Sequence, residues 1–213
     1  SLLHSESLAY SAPNQPLSRT AGTLSPTSLT PDEFALTSRH LAFVDAGLSD
    51  VENLIAGLAD TQVVLIDSGQ HGIAQITSAL SKYNNLASMQ IYAHGSDGLL
   101  QLGDTILSHA TIEGYGDSLS AWSSALSAEA DLMISGCNLV AGDSGLALVE
   151  RLGELTGADV AAADDVTGAG GDWDLEVSTG TIESVIALSA ATQASYAGEL
   201  ALLNNGDFEA GLS

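Results

Sequence analysis

Met89-Gln90-Ile91-Tyr92-Ala93-His94-Gly95 is a short apolar run that ends on a histidine and a glycine. Further along, Asp131-Leu132-Met133-Ile134-Ser135-Gly136-Cys137 repeats the form and ends on the only cysteine of the chain. Each run is long enough for a buried strand and too short for a helix. One strand delivers a histidine to its carboxyl end and a later one delivers a lone thiol, which together describe a thiol–imidazole pair.

Similar short runs recur on either side, alternating with helical periods. Leu41-Ala42-Phe43-Val44-Asp45 reads as a strand, followed by a helix over 49–58 in which Ser49 and Glu52 have the spacing of a capping box. Val63-Val64-Leu65-Ile66-Asp67 is a second strand, with a helix over 73–83 behind it. Residues 99–107 alternate about Gly103-Asp104 and predict a hairpin. Helices are expected over 118–126 and 144–156, strands over 132–135 and 159–162, and a closing hairpin from 172–177 and 181–184. Continuously apolar strands separated by helices predict an α/β fold. The expected form is a three-layer sandwich, with a mostly parallel central sheet, helices on both faces and a C-terminal hairpin. In such sheets the working site lies beyond the carboxyl ends of the strands. Asp45, Asp67, His94 and Cys137 are therefore expected to share one edge.

Composition narrows the class of partner. The 213 residues carry 27 Asp+Glu against 4 Lys+Arg, a net charge of −23, so nucleic acid and anionic membranes are poor partners. Apolar residues make up 45% of the chain, enough for a buried core, yet no run approaches the ~20 residues that span a bilayer. One cysteine excludes an internal disulfide. Scarce lysine with abundant Gly, Ala, Ser, Thr and Asp fits an extracellular or surface-attached bacterial protein. All four prolines fall within 1–38, which reads as a Ser/Thr/Pro-rich leader or linker. The domain proper is expected over 39–198, and 199–213 as a linker into a following module.

Ile91-Tyr92-Ala93-His94-Gly95-Ser96 and Leu132-Met133-Ile134-Ser135-Gly136-Cys137-Asn138, in that order on strand ends, resemble the motifs of the caspase, gingipain and legumain group of cysteine peptidases. From Phe43-Val44-Asp45 to Gly170-Gly171-Asp172-Trp173-Asp174-Leu175-Glu176, the chain resembles the caspase-like domain of unknown function 4347 found near the N-terminus of giant bacterial adhesins. That resemblance implies a cysteine endopeptidase acting on a polypeptide, with Cys137 as nucleophile and His94 as general base and acid. The backbone N–H groups of Gly95 and Cys137 would form the oxyanion hole. No cofactor is implied. The alternative is a catalytically inactive structural or interaction module of an adhesin.

Around this pair the chain is acidic. Asp45, Ser135, Asp164 and Asp165 are candidates for the substrate pocket, and a carboxylate there would select Arg or Lys on the acyl side of the scissile bond. Self-processing after Arg19 or Arg39 is the corresponding expectation. Asp172 and Asp174 are weak candidates for a calcium ion, since their spacing is not that of an EF-hand loop. His71-Gly72 lies beyond its strand and reads as a loop or helix cap. His4, His40 and His109 fall in leader or loop. Gly116-Asp117-Ser118-Leu119 spells a serine-esterase tetrapeptide, but no histidine follows His109 to serve it, and Ser118 reads as a helix cap. Trp122 and Trp173 read as packing residues.

Overall fold

A computed structural model describes residues 39–58 and 60–202. The leader expected over 1–38 and the tail from 203 on lie outside these residues. The expected alternation forms as β1 (His40–Asp45), α1 (Val51–Ala56), β2 (Gln62–Ile66), α2 (Gly72–Leu80) and β3 (Leu86–Tyr92). A small antiparallel sheet comes next, made of β4 (Gly95–Ser96), β5 (Leu99–Leu102) and β6 (Thr105–Ser108). The chain returns through a 3-10 turn (Ile112–Tyr115), α3 (Gly116–Trp122), β7 (Leu126–Ser135), α4 (Asp143–Thr156) and β8 (Asp159–Ala162), then β9 (Val177–Ser178) and α5 (Ala190–Ser195). The main sheet has the order β2-β1-β3-β7-β8-β9, parallel throughout except where β9 pairs antiparallel with β8.

Alternation along the strands divides the core between two faces. Leu41 and Phe43 of β1, with Met89 and Ile91 of β3, turn to one face and pack under α2, α3 and α4. Ala42, Val44 and Tyr92 turn to the other, under Leu54 of α1, Leu188 and Tyr196. This is a three-layer α/β arrangement. Each fully buried Leu, Ile or Phe in it is worth roughly 1.5–3 kcal/mol of transfer free energy.

Several local expectations are corrected. The helix expected over 49–58 shortens to Val51–Ala56. Asp50 takes the N-cap position in left-handed geometry (φ 50°) without a side-chain cap, so no capping box forms. The Ser49 carbonyl instead accepts the Tyr196 hydroxyl at 2.7 Å. Ser118 does not cap α3, because a 3-10 turn leads straight into Gly116 and puts Ser118 inside the first turn. The helix expected over 118–126 ends at Trp122, and β7, expected over 132–135, already starts at Leu126; its pairing with β3 is irregular between Leu86 and Ser88. His71 does cap α2: its Nδ1 accepts the Ala74 N–H at 3.3 Å.

The closing hairpin also does not form. Val177 and Ser178 pair with β8, and Asp172 forms an isolated parallel bridge with Thr167. Two buried side chains explain the course of the chain beyond them. Asp131 Oδ2 accepts the Ser184 N–H at 2.7 Å. Gln90 Oε1 accepts the Ala187 N–H at 3.0 Å and the Tyr92 hydroxyl at 2.8 Å, while its Nε2 donates to Val185 O at 3.0 Å. Residues 184–187 are thereby drawn across the face of the sheet instead of along its edge.

Candidate functional site

β3 and β7 are neighbours in register, with Tyr92 opposite Ser135, so the segments carrying His94 and Cys137 leave the sheet at one edge. Glycine lets them touch. A Cβ on Gly95 would lie 2.8 Å from Gly136 C, 2.9 Å from Cys137 O and 3.0 Å from Cys137 N, all of them backbone atoms that cannot move aside. On the far side of Cys137, Asn138 takes a left-handed conformation (φ 53°) and donates its N–H to Asp165 O at 2.6 Å. The cysteine loop is thereby pinned against the segment that succeeds β8.

Because the two loops touch, their N–H groups converge. Gly95 N–H donates to Leu200 O at 2.8 Å and Cys137 N–H donates to the same oxygen at 3.1 Å. That carbonyl belongs to 199–202, the stretch read from sequence as the start of a linker. It is instead built into the domain as an extended strap. Leu202 N–H donates to Gly95 O at 2.8 Å, with Ala201 bridging Gly95 in parallel. On the strap's other side, Leu200 N–H donates to Thr167 O at 3.0 Å and Glu199 bridges Gly168 in antiparallel. The Leu200 side chain is fully buried in the apolar cluster that also holds Cys137, Tyr92, Trp173 and Tyr196.

Cys137 is itself 0% exposed. Its Sγ sits against Thr167, donating to the carbonyl at 3.3 Å and accepting the N–H at 3.3 Å. Burial pushes the thiol pKa up; hydrogen bonds from backbone groups at Thr167 and Leu200 act against this, and the Glu199 charge adds to it. His94 Nε2 lies 3.4 Å from Gly47 O, which can only accept. In the neutral ring this contact puts the proton on Nε2 and leaves Nδ1 as the basic nitrogen. Nδ1 is buried and has no hydrogen-bond partner. No hydrogen bond joins the two described side chains, His94 and Cys137.

The remaining candidates fall in different places. Asp45 is buried at the end of β1, with Oδ1 accepting Gly47 N–H at 2.8 Å and Oδ2 accepting Gly103 N–H at 2.7 Å. It holds the loop that carries the histidine's contact and ties the β5–β6 turn to the main sheet. Ser135 is buried at the end of β7, and its carbonyl accepts Ala93 N–H at 3.2 Å. Asp164 and Asp165 are exposed and lie with Glu176 in one carboxylate cluster; partial desolvation of its carboxyl by nearby atoms, then the charges of Asp172, Asp164 and Asp174, push Asp165 up. Asp172 Oδ1 accepts the Asp174 N–H at 2.9 Å, and neither residue belongs to that cluster. Arg39 lies at the amino end of β1, the edge opposite Cys137, where its carbonyl accepts Ala87 N–H at 2.7 Å. Arg19 lies outside the described residues. Sequence reasoning missed Thr167, Gly47 and the strap.

Fold and site together define a three-layer α/β domain that presents a histidine and a cysteine at the carboxyl edge of a parallel sheet. The chain belongs to the family described as Domain of unknown function (DUF4347), which it matches over residues 41–200. Neither curated proteins nor solved structures include a match to it. Among the described residues no helix is long and apolar enough to cross a membrane.

Proposed function

We propose that the domain is a cysteine endopeptidase of the kind its His-Gly and Gly-Cys motifs resemble, acting on its own chain or on a neighbouring surface protein. The observation that carries this is the convergence of the Gly95 and Cys137 N–H groups on one carbonyl oxygen beside a thiol. Two fixed N–H donors on the oxygen of a bound peptide are what stabilises the negative charge of a tetrahedral intermediate, typically by a few kcal/mol. Thiol attack on that carbonyl, with a histidine to take and return the proton, is acyl transfer. His94 supplies the imidazole with Nδ1 as the proton acceptor. The chemistry draws on residues of this chain and water.

A basic residue on the acyl side was expected from Asp45, Asp164 and Asp165. With both Asp45 oxygens held by backbone N–H groups and a leucine seated beside the thiol, an apolar residue is favoured there. The full burial of Cys137, with its sulfur turned to Thr167, favours the second reading, an inert adhesin module. The two separate on peptide-bond hydrolysis. The full chain is incubated alone and with fluorogenic peptides carrying Arg, Lys or Leu on the acyl side, next to Cys137→Ala and His94→Ala. Hydrolysis in either substrate, lost in Cys137→Ala and reduced about 100-fold or more in His94→Ala, is the peptidase result. No hydrolysis of either kind assigns the domain to the inert module.

A further inference from the structure

We propose that the Leu200–Ala201 peptide bond is the domain's own substrate, so that the strap over 199–202 is a bound acyl donor rather than a fixed structural strand. This rests on the peptidase reading and adds to it the bond that is cut and the residue recognised. The placement has three parts. Leu200 O receives both converging N–H groups, at 2.8 and 3.1 Å, which is where the reacting carbonyl of a substrate must sit. Leu200 N–H and Cys137 Sγ share a single acceptor, Thr167 O, at 3.0 and 3.3 Å, which holds the sulfur beside the same residue. The strap lies between Gly95 on one side and Gly168 on the other in extended form, the conformation in which peptides are held by backbone pairing along a cleft.

The Leu200 side chain is the recognised group. It is 0% exposed in an apolar cluster, while Glu199 before it faces solvent and Ala201 after it is half-buried. The preference implied is a hydrophobic acyl-side residue of about the size of leucine, with an acidic residue tolerated before it.

The chemistry balances with water alone. His94 takes the thiol proton and the thiolate forms a C–S bond to the Leu200 carbonyl carbon. The C–N bond to Ala201 breaks, and His94 returns the proton to the departing amine. Water then cleaves the thioester, leaving a Leu200 carboxylate and a free thiol. The segment from Ala201 onward leaves. Since Sγ is turned to Thr167 in the resting arrangement, the side chain must rotate away from that contact before it attacks.

The full 213-residue chain, incubated and monitored by intact-mass spectrometry, gives the test. The expected products are a fragment ending at Leu200 and a peptide beginning at Ala201, with their masses summing to the parent plus one water. Cys137→Ala stays whole. Ala201→Pro should also stay whole while keeping the strap in place, because the pairing with Gly95 uses Leu200 O and Leu202 N–H and leaves the Ala201 N–H out. Leu200→Met should still be cut and Leu200→Asp should not, with thermal unfolding confirming that each variant is folded. Hydrolysis of an added leucyl peptide by a chain that itself stays intact overturns the assignment of this bond and leaves the peptidase reading standing. A cut at any other bond also overturns it. Absence of both activities overturns the two together.

Discussion

Asp45→Asn separates a scaffold carboxylate from a pocket carboxylate. Asp45 is 1% exposed, and each of its oxygens accepts a backbone N–H, from Gly47 at 2.8 Å and from Gly103 at 2.7 Å. Asparagine has nearly the same shape but keeps one acceptor oxygen, and its NH2 group must face the other N–H. The variant therefore loses one charge-assisted bond, weakens the second and leaves a buried donor unpaired, together about 2–4 kcal/mol. For a domain of this size that is a fall in Tm of roughly 5–15 °C. The assay is thermal and urea unfolding by circular dichroism in a Cys137→Ala background, so that self-hydrolysis does not complicate the baseline. Since Gly47 O is also the partner of His94 Nε2, the variant should in addition slow any hydrolysis measured with Cys137 restored. A drop smaller than about 2 °C, or unchanged stability with a switch in peptide preference away from Arg and Lys, refutes the scaffold role and returns Asp45 to the substrate pocket.

Three further outcomes are expected. Gly72→Ala should lower stability by about 1–3 kcal/mol in urea unfolding despite alanine's better helix propensity, because its Cβ would fall 2.1 Å from the Leu102 carbonyl oxygen of the β5–β6 sheet. Gln90→Leu should cost about 2–4 kcal/mol and speed amide exchange at Ala187, since it takes the partner from the Val185 carbonyl and the Ala187 N–H and the acceptor from the Tyr92 hydroxyl. Tyr196 is pushed up to about 12 by burial first and then by the Asp50 and Cys137 charges, so the fold holds it neutral where an unfolded tyrosine ionises near 10. Stability should therefore fall as pH rises from 10 to 12, and Tyr196→Phe should flatten part of that slope in urea titrations at about pH 9 to 11.5; an unchanged slope in the phenylalanine variant would count against it.

Legibility in the sequence tracks the range of the interactions. β1, β3 and β8 announce themselves as apolar runs because they are buried on both faces, β2 as an apolar run although it is an edge strand with Leu65 exposed, and α4 by its strong amphipathic period. Gly103-Asp104 marks the β5–β6 turn through local backbone geometry, with Gly103 at φ 60°. The shared edge of His94 and Cys137 was legible because parallel strands with helical crossovers must end together. The strap was not. Its contacts join Gly95 to Leu200 and Leu202 by single bonds across the whole domain, and such pairing leaves no period in the chain. The closing hairpin failed for a related reason: Asp131 and Gln90 lie far from 184–187 in sequence, yet bind its N–H groups. Likewise Ser49 has the composition of a cap, but its carbonyl is taken by a tyrosine from the far end of the domain.

The strap over 199–202 also sets a concentration scale. A peptide tethered by a short stretch to the domain it occupies competes at an effective concentration on the order of millimolar. A free polypeptide of equal fit must therefore exceed that level to displace it. Under the self-cleavage proposed above, the first turnover belongs to the chain itself for as long as Leu200 stays in the cleft. On the same proposal the cleft would open to other chains only after the segment beginning at Ala201 had departed and the new Leu200 carboxylate had let go of Gly95 and Cys137. The self-cleavage proposed above thus implies an order of events through the covalent connection: one cut in cis before any in trans.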